Sequence, residues 1–303
     1  MNIIQIFKKF PTQKSCVKHL EKARWNNKPI CPYCSSTNTN SLIKELRHHC
    51  NGCRKSFSVT VGTIFHHTHI PLQKWFLLIS LMQNAKKRLS SLQASRDINV
   101  SQTTTWSMMH RIRKAMSDDG SLLSGIIEMD ETYVGGKPRK ENTKDDDDEN
   151  NIGSPRGRGT KKTPIVGMVE RGGNVKAKST SKFELKFADF LKLIRKNINL
   201  AESLLVTDEY TAYGKMGSIL PHFTINHSKE YARGDIHTNT IESFWAILKR
   251  GIMGQFHWVS KKYLNNYIDE FCYRYNAREL NGKVTFDMTI NKMLGVELEI
   301  ICL

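Results

Sequence analysis

The chain has 303 residues, 39% hydrophobic and 25% charged, an ordinary globular balance that excludes collagen-like, disulfide-scaffold and wholly disordered chains. Its 46 Lys and Arg against 29 Asp and Glu leave a net charge of +17, which suits a polyanionic partner. The longest apolar run, residues 75–82, falls far short of the roughly 18 residues that span a bilayer. Lysines within residues 1–10 argue against a secretory leader, so the expectation is a soluble, cytoplasmic protein.

The charge is uneven. Residues 1–125 hold 19 basic and 5 acidic side chains, a net +14, whereas 126–303 hold 27 and 24, a net +3. No amphipathic basic helix stands alone to suit a membrane surface, so nucleic acid is the favoured partner of the first part. The second part, nearly neutral, must do something else.

The first strong motif is a cysteine quartet. Cys31 and Cys34 form one Cys-x-x-Cys turn and Cys50 and Cys53 another, with fifteen residues between the pairs. Two such turns aim four sulfurs at one point, the tetrahedral thiolate shell of a structural Zn²⁺. Two disulfides would use the same residues, but a cytosolic setting argues against them. Gly52 fits a knuckle that must bend sharply, and Cys16, Cys272 and Cys302 have no partner spacing. Arg47, Arg54 and Lys55 give this zinc ribbon a basic surface suited to DNA, while His48, His49, His66, His67 and His69 stay unassigned, with phosphate contact as one option.

Residues 71–86 read as a helix opening at Pro71, with Trp75, Leu78, Ile79 and Met82 on one face. A helix over 90–98, a turn at Asn99 and Val100, and a helix over 101–114 capped by Ser101 then form a helix-turn-helix. Trp106, Met109 and Ile112 make its buried stripe, which leaves Gln102, Thr103, Thr105 and Arg113 for a DNA groove. A plain helical hairpin is the bland alternative.

From Ser124 the pattern changes to alternation. Strands are predicted over 126–134, 163–170, 174–179, 204–209 and 222–226, with helices over 183–197, 238–250 and 261–278. The first strand carries Asp130 and the fourth carries Asp208 at its acidic end. The helix after the last strand carries Glu242, with Lys249 two turns further along the same face. Three such carboxylates can hold two Mg²⁺ or Mn²⁺ about 4 Å apart, while the lysine positions a phosphate. The acidic run 144–149 is a solvated loop by this reading, and 156–162, rich in Arg and Lys, could track a DNA backbone.

Three blocks, Asp130-Glu-Thr-Tyr-Val-Gly-Gly-Lys137, Thr207-Asp208-Glu-Tyr-x-x-Tyr213 and His237-x-Asn239-x-x-Glu242 through Lys249, resemble the catalytic blocks of zinc-ribbon insertion-sequence transposases related to Merlin transposons. The block Tyr267, Glu270, Arg274, Asn276 and Arg278 resembles that family too. The resemblance implies an RNase H-like α/β catalytic fold and DNA cleavage and strand transfer without a covalent protein–DNA intermediate. It implies Asp130, Asp208 and Glu242 as the triad, Lys249 as the downstream cation, Asn239 as the runner-up third ligand, and His237 as a phosphate or metal-shell contact.

The expected organisation is a zinc ribbon with an N-terminal helix over 1–65, a helix-turn-helix segment over 66–122, and the catalytic domain with C-terminal helices over 123–303. The expected protein is a nucleoid-associated transposase acting on double-stranded DNA, homo-oligomeric in the DNA complex. The competing readings are a non-catalytic DNA-binding regulator derived from such an enzyme and a structure-selective nuclease lacking strand transfer.

Overall fold

Helix α1 (Ile3–Lys9) opens with a capping box in which Asn2 accepts from the Gln5 backbone N–H and Gln5 bonds back. Thr12 and Ser15 build the same device at α2 (Gln13–Trp25). A computed structural model describes residues 1–85, 88–135, 162–181, 185–209, 213–225 and 236–295. The acidic run 144–149 and most of the basic stretch 156–162 therefore lie outside the described residues. Two units emerge, Met1–Ser117 with the segment from Ala277, and Asp118–Asn276. Among the described residues, no helix is long and apolar enough to cross a membrane.

In the first unit, α2 leads into a three-stranded antiparallel sheet, β1 (Thr39–Leu42), β2 (Arg47–Cys50) and β3 (Ser56–Phe57). Helix α3 (Leu72–Asn84) buries Leu72, Trp75, Phe76, Leu77, Leu78, Ile79 and Met82, so more than one face is covered. Pro71 stands just before this helix as its N-cap residue. Helices α4 (Ser91–Ile98) and α5 (Gln102–Ala115) follow, joined through Asn99 in the left-handed region at φ 50°. Ser101 caps α5 as the sequence predicts, accepting from the Thr104 N–H at 3.2 Å.

Two expectations are corrected here. Residues 277–295, expected with the catalytic domain, fall instead in the first unit, where helix α9 (Gly282–Gly295) packs. Phe286 of α9 lies edge-on to Phe76 at 5.7 Å and 6.1 Å from Phe10, which itself meets Phe76 at 4.8 Å. The second correction concerns α5. Thr105 is fully buried and Arg113 only 1% exposed, because α5 packs against α3, α4 and α9. Neither can stand free for a DNA groove, whereas Gln102 and Thr103 are exposed. Met109 and Ile112 are buried as predicted, and Trp106 is half-buried.

The second unit is one five-stranded sheet. Its strands are β4 (Leu123–Val134), β5 (Thr163–Glu170), β6 (Val175–Ser179), β7 (Ile198–Asp208) and β8 (His222–Ile225), in the order β6-β5-β4-β7-β8. Strand β5 runs antiparallel to β4 and β6; β7 pairs parallel with β4, and β8 with β7. Helix α6 (Phe187–Asn197) connects β6 to β7, and α7 (Asn239–Gly251) and α8 (Leu264–Asn276) follow β8.

Side chains alternate along β4 and supply both faces of the sheet. Ile127 and Met129 join Val166, Met168 and Leu205 in a core that includes Phe190 and Ile194 of α6. Glu128 and Asp130 project to the other face, where Ile165, Val169 and Val175 pack with Ile241, Phe244, Trp245 and Leu248 of α7 and Ile268 and Phe271 of α8. The central strand thus places acidic side chains beneath α7.

Candidate metal centres

The two Cys-x-x-Cys turns share one backbone design. Ser35 N–H donates to Cys31 O and Arg54 N–H to Cys50 O, both at 2.9 Å. Cys31 N–H and Cys50 N–H return bonds to Ser36 O and Lys55 O at 3.0 and 2.9 Å. The sharp bends fall at Ser35 and Arg54, each at φ 58°, rather than at Gly52. Gly52 matters for space, since a Cβ there would sit 3.3 Å from Ser36 Oγ and 3.7 Å from Cys50 Sγ.

These turns bring all four sulfurs within 4.8 Å of one another, with Cys31–Cys53 at 3.6 Å and Cys34–Cys50 at 3.5 Å. Tetrahedral Zn–S bonds of about 2.3 Å require sulfurs roughly 3.8 Å apart, so the donor set fits such an ion. A backbone hydrogen bond from Cys53 brings the Cys50 thiol down to about 6, a thiolate-forming range. Cys34 moves the other way, to about 12, despite a backbone hydrogen bond from Ser36 that acts to lower it; its contact with Cys50 raises it. Four sulfurs this close form a donor set that could hold one metal ion.

Arg47, Arg54 and Lys55 all lie exposed on this module, and Lys55 Nζ stands 5.1 Å from the Tyr33 ring centroid. His48 belongs to the structure instead: it is buried, with Nε2 2.7 Å from Glu21 Oε1 of α2. His66 and His67 stack on each other at 4.0 Å.

In the second unit, β4 and β7 bring two distant acids together. Glu128 pairs with Val206 across the parallel strands, so two residues further along come Asp130 and Asp208. Their carboxylate oxygens, with one from Glu131, lie within 4.8 Å of one another. Trp245 Nε1–H donates to Asp130 Oδ2 at 3.0 Å. Room for that indole comes from Gly167, directly opposite Asp130 on β5. Burial, followed by the charge of Asp208, pushes Asp130 up to about 6. The hydrogen bond from Trp245 opposes this rise, and the charge of Glu242 adds slightly to it.

Glu131 is a surprise, because strict alternation sends the neighbour of Asp130 to the opposite face. Near it lies Tyr213, whose hydroxyl is held well above its ordinary range by burial and by the charges of Glu131, Asp208 and Asp130. Tyr213 was legible only as part of a motif, with no role attached. The other missed residue is Glu128, fully buried and engaged with Arg171, Thr240 and Ile241.

Glu242 occupies the first turn of α7, exposed, with Thr238 Oγ1–H donating to its Oε1 at 3.1 Å. It lies in electrostatic reach of Asp130 but outside the tight carboxylate group. Asn239 is exposed three residues earlier, at the start of the helix, and Lys249 is exposed in the last turn. His237 is engaged structurally: its Nδ1 is 3.3 Å from Glu128 Oε1 and its carbonyl accepts from Arg171 at 2.9 Å.

The ISXO2-like transposase domain family matches residues 122–276, and the transposase zinc-ribbon domain family matches residues 11–56. An uncharacterized protein in transposable element ISH50 of Halobacterium salinarum is 30% identical over 294 residues, covering 91% of this chain and 95% of that protein. An uncharacterized transposase-like protein of Haemophilus influenzae is 29% identical over 99 residues, covering 32% of this chain and 79% of that protein. One match spans the unit that carries the carboxylates and the other the module that carries the four cysteines, and the ISH50 protein aligns across nearly the whole length. The chain belongs to the ISXO2-like DDE transposase family of insertion-sequence proteins, with the zinc-ribbon domain of such transposases at its N-terminal end.

Proposed function

We propose that this transposase binds the terminal repeats of its element in double-stranded DNA, nicks them hydrolytically and joins the freed 3′ ends to target DNA. The observation that carries the reading is the pairing of Asp130 and Asp208 at neighbouring positions on central parallel strands, with Asp130 pushed to about 6. Buried neighbouring carboxylates repel unless protons or a cation intervene, and hard oxygen donors suit Mg²⁺ or Mn²⁺.

Asp130, Asp208 and Glu242 are the ligands in this reading, with Asn239 the alternative third donor and Glu131 a further carboxylate within reach. A bound pair of such ions would activate a water or 3′-hydroxyl and stabilise the leaving oxygen. The chain's own contribution is placement. Trp245 holds the Asp130 carboxylate, α7 carries Glu242 within electrostatic reach of it, and exposed Lys249 offers a cation to a phosphate. The sheet order, with β5 alone reversed among five strands whose other four run parallel, supports an RNase H-like classification.

The first unit is the reader. The thiolates hold Zn²⁺, α4 and α5 act as a helix-turn-helix, and Arg47, Arg54, Lys55, Gln102 and Thr103 supply DNA contacts from exposed positions. Holding two element ends together calls for a homo-oligomer, working at the nucleoid in the cytoplasm. The test is to incubate purified protein with terminal-repeat DNA and Mg²⁺ and to map the product ends. Joined 3′ ends support the reading; nicks without joining would mark a nuclease, and binding without nicks a regulator.

A further inference from the structure

We propose that Glu128 is a positioning residue for the reaction, anchoring the start of α7 to β4 so that Glu242 is held at a set distance from Asp130. The proposal rests on the reading of Glu242 as the third ligand.

The Glu128 carboxylate is fully buried, and both of its oxygens are engaged. Oε2 accepts from the backbone N–H groups of Thr240 and Ile241 at 2.8 and 3.0 Å. Oε1 accepts from Thr240 Oγ1–H at 2.9 Å and from Arg171 Nε–H at 2.7 Å. These two N–H groups belong to the first turn of α7, where no intrahelical carbonyl is available. Thr238, the residue before the helix, makes no side-chain cap bond of that kind, and a strand carboxylate 112 residues before Thr240 does the capping. A negative charge at a helix start is also favoured by the helix dipole.

The placement matters more than the cap. Glu128 lies two residues before Asp130 on the same strand face, and Thr240 two residues before Glu242 on α7. Trp245 makes a second polar attachment of the same helix to the same strand, at Asp130 itself. The two strand attachment points are about 6.8 Å apart along an extended chain. The helical ones, four to five residues apart, are about 6–7.5 Å apart along a helix. The spacings agree, so α7 lies on β4 in one register, with Glu242 between the two attachments. Slippage by one turn would carry Glu242 about 5.4 Å away. Arg171 extends the anchor by donating to the His237 carbonyl at 2.9 Å, so the approach to α7 is tied to the same carboxylate.

The test uses the full-length, zinc-loaded protein and Mn²⁺ as probe. Mn²⁺ binding is followed by electron paramagnetic resonance, beside nicking of terminal-repeat DNA at graded Mn²⁺ and the thermal unfolding midpoint. Positioning predicts that Glu128→Gln weakens Mn²⁺ binding about 10-fold or more and raises the Mn²⁺ needed for half-maximal nicking by a similar factor, with excess Mn²⁺ restoring most of the rate. A purely structural cap would lower the unfolding midpoint and leave Mn²⁺ affinity within about 2-fold, which overturns the proposal. If Glu128→Gln does not fold, Thr240→Ala and Arg171→Lys must shift Mn²⁺ affinity in the same direction; no shift in either is equally fatal. Glu242→Gln, run alongside, separates the two ideas. Weakened Mn²⁺ binding in Glu242→Gln but not in the Glu128, Thr240 or Arg171 variants removes the positioning role alone, whereas unchanged binding in Glu242→Gln removes the third-ligand reading and this inference with it.

Discussion

Replacing Gly167 by Ala should disturb the carboxylate site through one methyl group. Gly167 sits opposite Asp130, and a Cβ there would lie 2.4 Å from Trp245 Cη2, 2.6 Å from Cζ2 and 3.2 Å from Ile241 Cδ1. Carbon atoms pack at about 3.5–4 Å, so the indole must recede by roughly 1 Å. Trp245 is 4% exposed and tightly surrounded, and overpacking of this kind costs about 1–3 kcal/mol. The same retreat stretches the 3.0 Å bond to Asp130 beyond useful length and forfeits up to about 1.5–3 kcal/mol. Alanine recovers about 0.4–1 kcal/mol by stiffening the unfolded chain, since no left-handed backbone is needed at this position. The net expectation is a loss of about 3 kcal/mol, read from urea unfolding of the second unit. Trp245→Phe removes both the crowded ring edge and the donor, so Gly167→Ala on that background should cost under about 1 kcal/mol, a coupling of roughly 2 kcal/mol. Equal costs on the two backgrounds would refute the reasoning.

The remaining expectations follow from the same geometry. Cys50→Ser should release the ribbon's metal and melt β1–β3, checked by metal analysis and circular dichroism, because the ion supplies much of the folding free energy of so small a module. Asp130→Asn, Asp208→Asn and Glu242→Gln should each abolish nicking and joining of terminal-repeat DNA while mobility-shift binding stays near normal; Asn239→Ala killing cleavage with Glu242→Gln still active would reassign the third ligand. Without added Mg²⁺ or Mn²⁺, Asp130 keeps its proton to about pH 6, against 3.8 ordinarily. Its stabilising contribution is therefore full below about pH 4 and lost as pH rises through 6, about 3 kcal/mol in all, and Asp130→Asn should flatten that part of a stability–pH curve. Phe286→Ala should destabilise the first unit by about 3–5 kcal/mol in thermal unfolding, by emptying the space between Phe10 and Phe76.

Much of this protein is legible in its sequence because the information is local. Alternation marks β4, since each side chain's face follows from the two-residue period, while β5, at the predicted 163–170, is a short apolar run buried on both faces. The cysteine spacing announces the sulfur cluster because each tight turn is a matter of four consecutive residues. Ser101 caps α5 through its own hydroxyl. The acids Asp130 and Asp208 are recognisable as strand residues, and parallel pairing then makes them neighbours.

What the sequence leaves open is which distant segments meet. Nothing local to α9 says that Phe286 will pack against Phe10 and Phe76, and that packing assigns residues 277–295 to the first unit. The periodicity of α5 cannot tell whether one side or several are covered, so Arg113 reads as a groove contact until α3, α4 and α9 enclose the helix. Glu128 reads as an ordinary acid on an alternating strand. Only tertiary structure brings Arg171 and the first N–H groups of α7 to a carboxylate that would otherwise be far too costly to bury. Short-range steric rules set the elements, while the pairing of elements is decided by burial and charge satisfaction summed over the whole fold, which no local window contains.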